Sequence, residues 1–90
     1  MTIAEILEEI KTICRKYKVK RVILFGSRAK ETATERSDID LAITGCSQFE
    51  ELKEEIEEIP TLYSIDIVNL DTCRNQLLLE DIEKYGREIL

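Results

Sequence analysis

The sequence predicts an α/β fold in which a small mixed β-sheet packs against α-helices. Three observations carry this prediction. Apolar side chains recur at helical spacing over residues 3–17, the short segments 19–25 and 62–70 are rich in β-branched and aromatic residues, and residues 37–44 alternate between apolar and polar. Because helical and strand-like segments alternate along the chain, we expect the order α-β-(short α)-β-α-β-α around one layered core.

The first helix is predicted from Ile3 to about Tyr17. Thr2 followed by Glu5 forms the pattern of a capping box, which marks the start of a helix. A strand is predicted next, over residues 19–25, and its "VILF" run shows no alternation. A strand without alternation is typical of one that is buried on both faces. Gly26-Ser27 interrupts this run, and "SRAKE" then suits a short helix.

The second strand is predicted from Ser37 to about Thr44, and its two faces differ in chemistry. Alternation places Ile39, Leu41 and Ile43 on one face and Asp38, Asp40 and Ala42 on the other. A helix should follow, starting at a capping box of Ser47 and Glu50 and ending before Pro60.

The last two elements are a strand over residues 62–70 and a C-terminal helix. Asp71 or Thr72 is the expected N-cap of this helix, and Gly86 is expected at its end. The apolar positions predicted to face inward are Leu78, Ile82 and Tyr85.

The composition limits the classes of function. A chain of 90 residues fits one domain, covering residues 1–90, and its net charge of −6 argues against general coating of nucleic acid. No apolar run approaches the roughly 20 residues needed to span a bilayer. The three cysteines are odd in number and widely spaced, so a cytoplasmic protein with reduced thiols is expected. There is no histidine, and the three cysteines form no C-x-x-C pair, which argues against zinc and histidine chemistry.

Three aspartates are the candidate metal ligands. Residues two apart on a strand lie roughly 6.5–7 Å apart and point the same way, so Asp38 and Asp40 should share one face. Oxygen ligands suit Mg²⁺, and Asp66 on the third strand could join them. Without a cation, three converging carboxylates would repel one another and raise one another's pKa.

Gly26 and Ser27 are the candidate phosphate-binding residues. Glycine at a strand-to-helix junction allows the backbone to approach a ligand closely, and a helix N-terminus offers free N–H groups to phosphate. Arg28 and Lys30 are nearby cations that could assist.

Each of these residues also has a simpler interpretation. Asp38 could be a turn or cap residue, and Asp66 could be a carboxylate of an edge strand that faces water. Arg28 and Lys30 could be ordinary surface cations. The joint occurrence of Gly26-Ser27, the aspartate pair and a strand-borne Asp66 favours a metal and polyphosphate site over these alternatives.

The stretch "LFGSRAKETATERSDIDLAI" resembles the signature of the DNA polymerase β-like nucleotidyltransferase superfamily, G-S followed by D-x-D. More narrowly, it resembles the minimal nucleotidyltransferase (MNT) domains, whose usual form reads G-S-R-A-R-G, a spacer, then S-D-I-D-L. The resemblance extends to "SIDIVNL" and "DIEKYGREIL", and so covers nearly the whole chain. It implies that Gly26 and Ser27 hold a triphosphate, that Asp38 and Asp40 bind Mg²⁺, and that Asp66 completes the catalytic site.

The resemblance also implies an activity and a partner. The activity would be Mg²⁺-dependent transfer of a nucleoside monophosphate, AMP from ATP, to a hydroxyl group, with Mn²⁺ as a possible substitute. Stand-alone MNT proteins typically pair with a HEPN-family toxin as its antitoxin, and some adenylylate a tyrosine of that partner.

The sequence departs from the family pattern at two positions. Glu31 stands where the family has a second glycine, and Thr34 stands where an arginine is often found. These departures leave open a second hypothesis, a non-catalytic module that binds nucleotide or a partner protein.

Overall fold

The computed structural model describes residues 2–26 and 38–90 of the chain. The described residues form three helices and four strands, in an order that matches the predicted α/β alternation. The elements are α1 (Ile3–Lys16), β1 (Arg21–Phe25), β2 (Ile39–Thr44), α2 (Phe49–Glu57), β3 (Ile65–Asn69), α3 (Gln76–Tyr85) and β4 (Arg87–Glu88). The short helix expected after Gly26 lies outside the described residues.

The four strands form one mixed sheet in the order β3-β2-β1-β4. Strand β2 runs antiparallel to β1 and parallel to β3, and β4 pairs antiparallel with the other side of β1. The predicted fold class, a small mixed sheet packed against helices, is therefore confirmed.

Helices α1 and α2 cover one face of the sheet. The predicted capping box of α1 is present, since Thr2 Oγ1 accepts from the Glu5 N–H at 3.2 Å and Glu5 accepts from the Thr2 N–H at 3.0 Å. Tyr17 and Lys16 both donate to Glu55 Oε1, at 2.8 and 2.6 Å, and so join the end of α1 to α2. The buried apolar core beneath the two helices consists of Ile6, Ile10, Cys14, Val19, Val22, Leu24, Ile39, Leu41, Ile43, Leu52, Ile56 and Ile59.

Helix α3 covers the opposite face with a smaller apolar cluster. Its buried members are Ile23, Phe25, Ala42 and Ile82, with Val68, Leu70 and Leu78 packed against them. Alternate residues of β1 thus contribute to the clusters on both faces, which confirms the prediction that this strand is buried on both sides.

Two predicted helix starts are wrong. Helix α2 takes Gln48 as its N-cap, with no side-chain hydrogen bond, so Ser47 lies one residue too early to form a capping box with Glu50. Helix α3 begins after Asn75, whose side chain accepts from the Leu78 N–H at 3.2 Å. Helix hydrogen bonds begin where packing places the first turn, and this can differ from the nearest favourable capping sequence.

The C-terminal segment differs from the prediction in two further respects. Tyr85 is 43% exposed and does not face inward. The chain then continues into β4, where Leu24 pairs with Arg87, Ile23 pairs with Glu88, and Arg21 forms an ion pair with Glu88. A strand of two exposed residues carries no periodic pattern, so the sequence alone gave no sign of it.

All three cysteines lie within the described residues, and each is a free thiol. Burial raises the pKa of Cys14 to about 11, with a smaller contribution from Cys46, so this thiol is a poor nucleophile. Within residues 2–26 and 38–90, no helix is both long enough and apolar enough to cross a membrane.

Candidate active site

The sheet topology brings three chain segments together at one end of the sheet. Because β1 is antiparallel to β2 and β2 is parallel to β3, the C-terminal end of β1 lies beside the N-terminal ends of the other two strands. In this register Phe25 is opposite Asp40, and Asp40 is opposite Asp66. Directly opposed residues point to the same face, with Cβ atoms about 4.5–5.5 Å apart in an antiparallel pair.

The row Phe25–Asp40–Asp66 lies on the face of the sheet that α3 packs against. The neighbouring row on this face consists of Ile23, Ala42 and Val68, which belong to the apolar cluster of α3. The apolar cluster therefore ends at Phe25, and the next two positions across the sheet carry carboxylates.

The electrostatics of Asp40 show that the three predicted carboxylates interact. Burial raises the pKa of Asp40, and the negative charges of Asp66 and then Asp38 raise it further, as does a hydrogen bond with Asp66. Asp38 and Asp66 are exposed, whereas Asp40 is half-buried. The structure thus brings together all three aspartates that the sequence singled out, with Asp40 in the middle.

Gly26 follows β1 directly and lies against the same carboxylate. Its φ of +74° is in the left-handed region that side chains other than glycine rarely adopt. A Cβ atom at this position would overlap Asp40 Oδ2. Glycine is therefore required at this position both by the backbone conformation and by the approach of Asp40.

Ser27, Arg28 and Lys30, the other candidate phosphate-binding residues, lie outside the described residues, as do Glu31 and Thr34. Their roles remain predictions from the sequence. Of the predicted phosphate-binding set, the structure describes Gly26 alone, at the end of β1 and beside Asp40.

The described residues meet the needs of Mg²⁺ in part. Within residues 2–26 and 38–90, no group of three or more cysteine, aspartate or glutamate side chains is arranged to hold a metal ion. Mg²⁺ does not need such a group, because it is usually bound through one or two carboxylates together with waters and substrate phosphates. Asp40 and one neighbouring aspartate would fit that donor set, and a cation would offset the burial and the charge repulsion that raise the pKa of Asp40.

Asp71 has a role that the sequence did not reveal. Its carboxylate accepts hydrogen bonds from the Gly45 N–H and from Thr44 Oγ1, both at 2.9 Å. These bonds lower the pKa of Asp71 and join the end of β3 to the end of β2. The sequence suggested a helix cap at this position. No local pattern shows that the partner of Asp71 lies 26 residues earlier in the chain.

A mixed sheet of this topology, with aspartates on adjacent strands beside a glycine turn, matches the architecture that the resemblance predicted. The chain belongs to the polymerase beta nucleotidyltransferase family, since residues 8–90 match the family model described as "Polymerase beta, Nucleotidyltransferase". The prediction of a nucleotidyltransferase is confirmed on this basis.

Two relatives from Methanocaldococcus jannaschii show the same relationship at the sequence level. "Putative protein adenylyltransferase MJ1379" is 37% identical over 90 residues, which cover 91% of this chain and 89% of that protein. "Putative protein adenylyltransferase MJ1217" is 34% identical over 89 residues, with the same coverage of both chains.

Solved structures show the same fold. A toxin–antitoxin crystal structure with AMP-PNP superposes with a TM-score of 0.72 at 22% identity, covering 91% of this chain and 70% of that chain. A crystal structure of a mutant of the toxin–antitoxin MntA-HpeT superposes with a TM-score of 0.71 at 20% identity, with the same coverage. At this level of identity the likeness establishes the fold.

Proposed function

We propose that the protein transfers AMP from ATP to a hydroxyl side chain of a partner protein, with Mg²⁺ as the cofactor. The single observation that carries the proposal is the Asp40–Asp66 pair across β2 and β3, with Asp38 close enough to add to the repulsion on Asp40. Relatives named as protein adenylyltransferases and a fold neighbour that contains AMP-PNP support AMP and ATP as the group transferred and its donor.

Each described residue of the candidate site has a role in this proposed reaction. Asp38 and Asp40 would hold the cation, because two carboxylates suffice for Mg²⁺ when waters and substrate phosphates supply its other ligands. When bound, Mg²⁺ supplies positive charge that stabilises the phosphate oxygens of the nucleotide. Gly26 leaves room for Asp40 and for a close approach of the triphosphate to the backbone.

Asp66 is the proposed general base, because it is exposed at the rim of the site while Asp40 is half-buried. The acceptor oxygen forms a bond to the α-phosphorus of ATP, and its proton passes to the Asp66 carboxylate. The bond from the α-phosphorus to the bridging oxygen breaks, and pyrophosphate leaves with both electrons of that bond. The acceptor is left as an AMP ester.

The proposed acceptor is a tyrosine of a HEPN-family toxin, with this protein as the antitoxin. The toxin–antitoxin assemblies among the fold neighbours support a toxin as the partner. The HEPN identity rests on the sequence resemblance to MNT domains.

Asp66→Asn provides the decisive test. The variant keeps nearly the same shape but cannot accept a proton. General-base catalysis contributes at least about 100-fold, so transfer of labelled AMP to the partner should fall to about 1% of the wild-type rate or less. Affinity for MgATP should stay the same or rise, because one negative charge near the phosphates is removed.

The controls separate an enzyme from a binding module. Labelled ATP is incubated with the protein and its candidate partner, and the partner is examined by mass spectrometry. A wild-type rate for Asp66→Asn would exclude the proposed base. A wild-type protein that binds MgATP but labels no partner would instead support the non-catalytic binding module.

A further inference from the structure

The outer edge of β3 borders the carboxylate row and is unoccupied by any other described strand. Among the described strands, β3 is the terminal strand of the sheet and pairs with β2 alone. Ile39 donates to the Ser64 carbonyl at 2.9 Å and Leu70 donates to the Ile43 carbonyl at 2.8 Å, so even-numbered residues of this segment face β2. Backbone groups alternate in direction along a strand, so Ile65 and Ile67 direct their N–H and C=O groups outward.

From this edge we infer a docking site: the acceptor protein binds as an extended segment that pairs with β3 and places its hydroxyl residue opposite Asp66. An exposed sheet edge is a template for a peptide strand, which gains affinity from main-chain hydrogen bonds. This inference rests on the proposed function, because it assigns an acceptor to the same site.

The register explains why this edge suits the acceptor. Phe25, Asp40 and Asp66 already form a row on one face of three adjacent strands. A fourth strand beside β3 would extend that row by one position. The residue opposite Asp66 would then point to the same face, with its Cβ atom about 5 Å from that of Asp66. A hydroxyl side chain there would extend over the same face of the sheet as the proposed general base.

The charge of this region indicates the chemistry of the segment. From Glu54 to Cys73 the sequence contains six carboxylates and no lysine or arginine. One of them, Glu55, is already paired with Lys16. Three others, Glu57, Glu58 and Asp66, are exposed, and residues 54–73 contain no cationic side chain to pair with them. A segment with lysine or arginine on either side of its hydroxyl residue would complement this charge.

Apolar contacts are available at the N-terminal end of the same edge. Leu62 is fully exposed in the turn before β3. Its two neighbours in sequence, Thr61 and Tyr63, line a pocket of about 300 Å³ together with Glu57, Ile59, Ser64 and Ile65. A leucine exposed next to a small pocket suits an apolar side chain of the docked segment.

The test uses synthetic peptides of about ten residues that alternate valine and threonine around a central tyrosine. One peptide carries lysine at both ends and the other carries glutamate. Fluorescence polarisation measures binding without ATP or metal, and amide hydrogen exchange is followed residue by residue. The lysine peptide should bind about tenfold more tightly than the glutamate peptide. It should also slow exchange at the Ile65 and Ile67 amides.

Two pairs of variants give matched comparisons. Leu62→Ser should weaken the binding of the lysine peptide about fivefold. Leu77→Ser, at a leucine on α3 that is 79% exposed, should leave the affinity for this peptide unchanged. Ile67→Pro removes an outward N–H but no hydrogen bond to β2, and should abolish binding. Ile67→Ala loses more side-chain volume but keeps the N–H, and should still bind.

The outcomes separate this inference from the proposed function. Slowed exchange at Ile65 and Ile67 without any AMP transfer to a partner would support the docking edge and overturn the proposed reaction. AMP transfer that is unaffected by Leu62→Ser, together with unchanged exchange at both amides under saturating lysine peptide, would overturn the docking edge alone. Equal affinity for the two peptides would also overturn it.

Discussion

Comparing Gly26→Ala with Gly45→Ala should separate the stability of this fold from nucleotide binding at its carboxylate site. The residue has a φ of +74°, and an added Cβ would overlap Asp40 Oδ2. Alanine in the left-handed region costs about 1–2 kcal/mol. For a domain of this size, each kcal/mol lowers Tm by roughly 4–8 °C. We therefore expect a fall in Tm of roughly 5–15 °C and displacement of the Asp40 side chain.

Gly45→Ala is the matched control, because Gly45 has a φ of +75° and lies at the opposite end of β2. Its added Cβ would lie 2.6 Å from Lys20 Cβ, so it too should lower Tm by strain and crowding. Its N–H donates to Asp71, which lies outside the candidate site, so its effect on Asp38, Asp40 and Asp66 should be small.

The assay is a calorimetric titration of MnATP into each variant at a temperature where both are folded, with thermal unfolding measured in parallel. Gly26→Ala should weaken MnATP affinity about tenfold, the equivalent of 1.4 kcal/mol, because Asp40 can no longer occupy its position. Gly45→Ala should keep the wild-type affinity. Equal affinity of the two variants for MnATP would refute the proposed link between Gly26 and the Asp40 position.

Three further predictions concern the carboxylates. Mg²⁺ or Mn²⁺ should raise the Tm of the wild type, and more so with ATP. The double variant Asp38→Asn/Asp40→Asn should lose this rise in Tm. A full rise in the double variant would place the metal elsewhere. Because the pKa of Asp40 is raised in the folded state, ionisation of Asp40 destabilises the fold as pH rises through its unfolded and then its folded pKa. Asp40→Asn should therefore raise Tm at pH 7 in EDTA, and an unchanged or lower Tm would contradict this electrostatic interpretation. Because the pKa of Asp71 is lowered from 3.8, its contribution to stability is present above that value and is lost as pH falls through the folded pKa. Asp71→Asn should therefore weaken the dependence of stability on pH below about 4, and identical acid-unfolding curves would show that its two hydrogen bonds contribute nothing measurable.

The sequence by itself determined the three main helices and the first three strands, and it nominated the three aspartates of the candidate site. The "VILF" run predicted a strand buried on both sides, and the alternation in β2 separated Ile39 and Leu41 from Asp40. These patterns are reliable because burial acts on every residue of a strand or helix, so the periodicity extends over many positions. The family resemblance rested on the motif of residues 24–43 and on two later segments, and the family match confirmed it.

Only the tertiary structure decided which residues meet. Parallel pairing of β2 with β3 places Asp66 opposite Asp40, although the two are 26 positions apart in the sequence, and no local pattern sets that register. The same holds for the hydrogen bonds of Asp71 to Thr44 and Gly45, and for β4. Contacts between distant segments depend on how all the elements pack at once. Local spacing constrains each element separately, so it could nominate the aspartates but could not place Asp40 between the other two.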